Sequence, residues 1–121
     1  MIETFLMLLA VHWIGDFVLQ SHWMASNKSK NPFALLAHVG VYTAVLAFAS
    51  VAMFGGSEVT ARFVVANAAL HFLTDRFSSM TTARLWAKQD WHNFFVVIGF
   101  DQLIHQLTLG WTMVFFFGSA S

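Results

Sequence analysis

Four apolar runs, at roughly residues 2–20, 33–54, 59–77 and 94–117, dominate the chain. Each approaches the ~20 residues that an α-helix needs to cross ~30 Å of hydrocarbon. Backbone in lipid must satisfy its own hydrogen bonds, so such runs fold as helices or as strands of a closed barrel. A single proline in 121 residues favours long uninterrupted helices. The expected fold is all-α, an integral membrane four-helix bundle forming one domain over residues 1–121. The composition agrees: 58% of residues are hydrophobic and 10% charged, against about 25% charged in soluble domains. The runs are separated by a polar stretch ending at Pro32, by Gly55-Gly56-Ser57, and by a polar segment of mixed charge over 78–93. The third run is interrupted by Arg62, Asn67, His71 and Asp75, so its neighbours must shield it.

Six basic and six acidic residues give no net charge, which leaves no basic patch for nucleic acid. The absence of cysteine removes disulfides and thiolate metal sites. The first run continues into His12 and Asp16, unlike a cleavable leader, and is expected to stay in the mature protein. Lys28, Lys30, Arg76, Arg84 and Lys88 lie in or beside the first and third connections, and Arg62 alone lies near the other side. The positive-inside bias therefore predicts that loops 21–32 and 78–93 are cytoplasmic and that both termini face outward. Trp23, Trp86 and Trp91 fall where an interfacial aromatic belt is expected.

Three pairs share one spacing inside these runs: His12 with Asp16, His71 with Asp75, and Asp101 with His105. Residues four apart stack on one helix face, so each pair points in one direction. Gln20, Asn67 and Asn93 extend the same stripes, and the second run contributes His38, with Tyr42 one turn beyond. In the topology set by charge, the first and third helices run inward and the fourth runs outward. The reversed order of Asp101 and His105 then matches the other pairs in depth, giving a deep layer of His12, His71 and His105 over a shallow layer of Asp16, Asp75 and Asp101, with His38 near the shallow level. An ionised side chain at the bilayer centre costs about 2.5–3.5 kcal/mol on the insertion scale, so these groups must satisfy one another or bind something. Imidazole and carboxylate suit divalent metals of the first transition row. The expected ligands are His12, Asp16, His38, His71, Asp75, Asp101 and His105, for one or two ions, zinc first and manganese or iron as alternatives. Asp16 or Asp75 is the expected catalytic base. Gln20, Asn67, Arg76 and Gln102 are supporting residues, with Arg76 placed to pair with Asp75 or with a substrate phosphate. His22 and His92 lie in or beside the polar connections and are left out.

His12-Trp13-Ile14-Gly15-Asp16-Phe17-Val18-Leu19-Gln20, His38, His71-Phe72-Leu73-Thr74-Asp75 and Asp101-Gln102-Leu103-Ile104-His105 together resemble the small bacterial and phage membrane proteins grouped as domain of unknown function 3307. The resemblance spans nearly the whole chain. It implies a membrane fold and a bacterial inner-membrane location, and it singles out the same polar residues without supplying a reaction. Three functions follow as expectations. The first is a metal-dependent hydrolase acting on a lipid-like substrate at the cytoplasmic leaflet, with membrane lipids as partners and a homo-oligomer left open. The second is a proton, ion or metal conduit. The third is a phage or prophage membrane factor whose polar core is structural.

Overall fold

The computed structural model describes residues 1–118. Among them are five α-helices and no strand: α1 (Ile2–Trp13), which passes into a π-helical turn (Ile14–Val18), then α2 (His22–Asn27), α3 (Pro32–Phe54), α4 (Glu58–Ala87) and α5 (Trp91–Phe117). Local chemistry explains the starts and stops. Asn31 caps α3 by accepting from the Phe33 amide, with Pro32 in the first turn, where a missing N–H costs nothing. Gly55 ends α3 at φ 87°, a backbone state that favours glycine. Ser57 caps α4 through the Thr60 amide. Asp90 caps α5, accepting from the side chain and backbone of Asn93, and these bonds hold its carboxyl below the usual carboxylate range.

The four long elements form a ring in which α3 packs on α1 and its π turn, α4 on α3, α5 on α4, and α1 closes the circuit against α5. Connections of only a few residues make sequential helices antiparallel, as in an up-down bundle. Short α2 lies across one end, against α3.

Two expected boundaries change. The third helix does not stop near residue 77 but runs to Ala87, so most of the expected loop 78–93 is helical and only the residues between α4 and α5 turn. The continuation is rich in Ser and Thr, whose hydroxyls bond back to the helix: Thr81 donates to the Phe77 carbonyl at 3.0 Å and Thr82 to that of Ser79 at 3.2 Å. The expected loop 21–32 likewise contains α2, capped by Ser21.

Polarity is distributed in an unusual way. The buried hydrophobic cluster of Leu8, Tyr42, Leu46, Phe63, Val64, Leu109 and Met113 fills the end of the bundle near the Gly55 turn, where Phe54 stacks on Phe117 at 3.9 Å. Towards the other end the interior is polar and ionisable, while Phe33, Phe48, Val65, Phe77, Phe95 and Trp111 stand exposed on the outside. By length and composition, one helix among the described residues, Pro32–Phe54, suffices to cross a membrane.

Candidate metal centre

Each residue expected in the cluster is buried, and the bundle draws them together from all four long helices. The π turn is the first device. It follows His12 directly and presents Asp16 inward, and inserted π turns of this kind recur at functional sites. Gly15 lets that turn approach α3 closely: a Cβ there would meet Tyr42 Cδ2 at 3.1 Å and Tyr42 Cα at 3.4 Å.

Four ligand atoms converge between α1, α3 and α4. His38 Nε2 lies 2.8 Å from Asp16 Oδ1, 2.9 Å from Asp75 Oδ2 and 3.1 Å from His71 Nε2. His71 Nε2 lies 3.3 Å from Asp75 Oδ2 and 3.5 Å from Asp16 Oδ1. Ligands at about 2.0–2.1 Å from a tetrahedral ion stand about 3.3–3.4 Å apart along the edges, and these separations bracket that value. The two imidazoles aim the same nitrogen at each other and at two carboxylates. If both Nε2 atoms carry hydrogens they collide, if neither does, four acceptors face one another, and if one does, the other ring still aims a lone pair at two carboxylate oxygens. A cation at their centre removes these conflicts, so the donor set fits a divalent metal. All four residues are buried.

A second group, Asp16, Asp101 and His105, shares Asp16 with the first. His105 Nε2 lies 3.3 Å from Asp101 Oδ2 and 3.0 Å from Asp75 Oδ1. Gln102 links the carboxylates, its amide nitrogen donating to Asp16 Oδ2 at 3.1 Å and to Asp101 Oδ2 at 3.0 Å. His71 is stacked between Tyr42 at 4.1 Å and His105 at 4.5 Å, which fixes its ring although its Nδ1, like that of His38, has no hydrogen-bond partner.

Other expected residues take different places. His12 is outside both groups: its ring nitrogens face the Tyr42 hydroxyl at 3.1 Å and Gln102 Oε1 at 2.9 Å, and its Nε2 lies 3.5 Å from Asp16 Oδ2, so it stands at the edge of the cluster and positions Gln102. The deep trio of His12, His71 and His105 is thus divided, and His38 stands at the centre. Asn67 continues the stripe as expected but ties α4 to α5, donating to Thr112 Oγ1 at 2.9 Å. Gln20 is half-buried and lines the cavity described below. Asn93 leaves the stripe altogether, exposed and bonded to Asp90. Arg76 is exposed, and the cation beside Asp75 is instead Lys28, with Nζ 3.5 Å from Oδ2. Sequence reasoning missed Lys28 in this role because nothing in its spacing points to α4. It also missed Ser78, whose hydroxyl donates to Asp101 Oδ1 at 2.5 Å, although Ser78 stands three residues after Asp75 on the same face.

The polar layer opens to a cavity of about 750 Å³. Asp16, Asp101 and Gln102 form its inner wall, and Lys28, Lys30 and His22 lie on the α2 side. Asp75 does not line it. A smaller apolar groove of about 310 Å³ between α4 and α5 also reaches Ser78 and Asp101.

Fold and site together define a helical bundle with a buried His/Asp centre. The chain belongs to the family described as Protein of unknown function (DUF3307), which it matches over residues 4–120. No curated protein matches it. No solved structure does either.

Proposed function

We propose that the chain is an integral membrane protein that binds a divalent metal through Asp16, His38, His71 and Asp75 and hydrolyses an ester or phosphoester of a lipid-like substrate at the cytoplasmic leaflet. The observation that carries this reading is the convergence of four ligand atoms beside a cavity whose wall includes Asp16. The membrane location is supported by the exposed Phe and Trp side chains around a polar interior, an arrangement that water disfavours and lipid accepts. Substrate class is supported by the cavity, where Lys28 and Lys30 offer positive charge to a headgroup phosphate, and by the apolar groove ending at Asp101, which suits an acyl chain.

A bound ion would polarise a substrate oxygen and acidify water. The protein's own groups do the rest. Asp101, which shares the cavity wall with the ligand Asp16, is placed to take the proton as water oxygen bonds to the ester carbon or phosphorus, and to return it to the departing alkoxide. Asp75, expected as an alternative base, faces His38, His71, His105 and Lys28 and is enclosed, so it serves as ligand. Gln102 holds the two wall carboxylates in register.

The test is bound metal per chain, by elemental mass spectrometry, for protein purified in mild detergent without chelator, beside a His38→Ala, His71→Ala double variant. One ion or more in the wild type, lost from the variant together with hydrolysis of phospholipid vesicles, is the expected result. A wild type that takes up neither zinc, manganese nor iron sinks the reading.

A further inference from the structure

The two carboxylates among the four convergent ligands each have a second oxygen turned away from the first site. Asp16 places Oδ1 on His38 and His71 but Oδ2 on Gln102. Asp75 places Oδ2 on His38 and His71 but Oδ1 on His105, at 3.0 Å. Asp16 therefore straddles two neighbouring positions, while the second oxygen of Asp75 holds the His105 ring. Around the second position stand His105 Nε2 and Asp101 Oδ2, 3.3 Å apart, and the side-chain amide of Gln102, 3.0 Å from the same Asp101 oxygen. Amide nitrogen and oxygen exchange places by a half-turn, so Gln102 offers a hydrogen-bond donor to these carboxylates in one orientation and an oxygen ligand in the other.

From this pattern we infer a second metal position, built by Asp101 and His105 and joined to the first by the bridging carboxylate of Asp16, so that the centre is dinuclear. The inference rests on the metal-binding reading above and deepens it. Carboxylate bridges hold paired ions about 3.5–4 Å apart, the spacing with which two-metal hydrolytic sites clamp attacking and leaving oxygens. The second position faces the cavity through Asp101 and Gln102, which form its wall with the shared Asp16, whereas His38, His71 and His105 do not line it. A substrate entering from the cavity would therefore meet Asp101 and Gln102 first, while His38 and His71 would hold the enclosed ion. Asp101 Oδ1, held by the Ser78 hydroxyl, stays outside both positions and keeps its proton-accepting role.

Manganese(II) alone is a suitable probe, since neighbouring ions couple magnetically and isolated ones do not. The full chain in detergent micelles is stripped with chelator, titrated with manganese, and read both by bound ion per chain and by electron paramagnetic resonance. Two ions and a coupled spectrum are expected for the wild type, and one ion with an isolated spectrum for Asp101→Asn, with His105→Gln as a second variant should the first fail to fold. Saturation of the wild type at one isolated ion overturns the second position while leaving the first standing. No bound ion in the wild type overturns both. Two coupled ions in both variants overturn the assignment to Asp101 and His105.

Discussion

The two ends of this bundle are built from the same four helices and differ in almost everything else. Near the Gly55 turn the interior is a plug of Leu8, Leu46, Phe63, Leu109 and Met113, sealed by the stacked pair Phe54 and Phe117. About one to three helical turns away the same faces carry His12, Asp16, His38, His71, Asp75, Asp101 and His105, beside an open cavity. Asn67 and Thr112 mark the border, bonded to each other across α4 and α5. The contrast teaches that polarity in the interior is arranged along the axis, so that the large cavity meets the ionisable groups at one end, with the α4–α5 groove beside it. Access at that end suits chemistry on a substrate more than passage through the bundle. A conduit would need continuous polar lining beyond Asn67, where the apolar cluster stands with the hydroxyls of Ser50, Thr60 and Thr112 set among it.

Mutations can break this division or sharpen it. The largest effect is expected from Phe63→Ala, which empties a fully buried volume in the plug. Loss of about 3 kcal/mol is expected, measured by unfolding in mixed micelles, with bound metal per chain unchanged. If metal is lost in proportion to stability, the two ends are one cooperative unit and the comparison fails. Gly15→Ala acts where the two ends are joined, since its Cβ would crowd Tyr42 at 3.1 Å. The π turn must retreat, which costs about 1–3 kcal/mol as overpacking and draws Asp16 away from His38. Here metal affinity should fall more than stability does. A variant that binds metal as the wild type does would show that Asp16 is not held by this approach.

Lys28→Ala is the mildest change, confined to the cavity end. Its ammonium stands 3.5 Å from Asp75 Oδ2 and is partly exposed, with 24% of the side chain accessible. It competes with a metal for the same oxygen, so removing it should tighten metal binding by a few-fold, consistent with the ~1 kcal/mol of a screened pair. Hydrolysis of an anionic phospholipid should slow at the same time, if Lys28 meets the phosphate. Unchanged metal affinity and unchanged turnover would remove Lys28 from the site.

Much of this was legible before any tertiary structure. The pairs four residues apart at His12, His71 and Asp101 needed only helical periodicity to be recognised as inward stripes, and all six members are buried. Pro32 and Gly55 marked helix ends through their own backbone constraints. The stretch from Ser78 to Ala87 reads as a loop because hydropathy falls there, whereas it continues α4 with its hydroxyls satisfied by preceding carbonyls. Asn93 was placed on a stripe although its position in the first turn of α5 makes it a partner of the capping Asp90.

By itself the sequence determined the helical class, the family and the identity of the polar residues, because periodicity and residue chemistry are properties of a single segment. Tertiary structure alone decided which of those residues meet. Moving His38 to the centre, His12 to the edge and Lys28 into reach of Asp75 depends on the close approach at Gly15, the π turn and the fold of α2 over α3. Such contacts join residues tens of positions apart, and no local pattern encodes the depth and rotation at which one helix packs against the next.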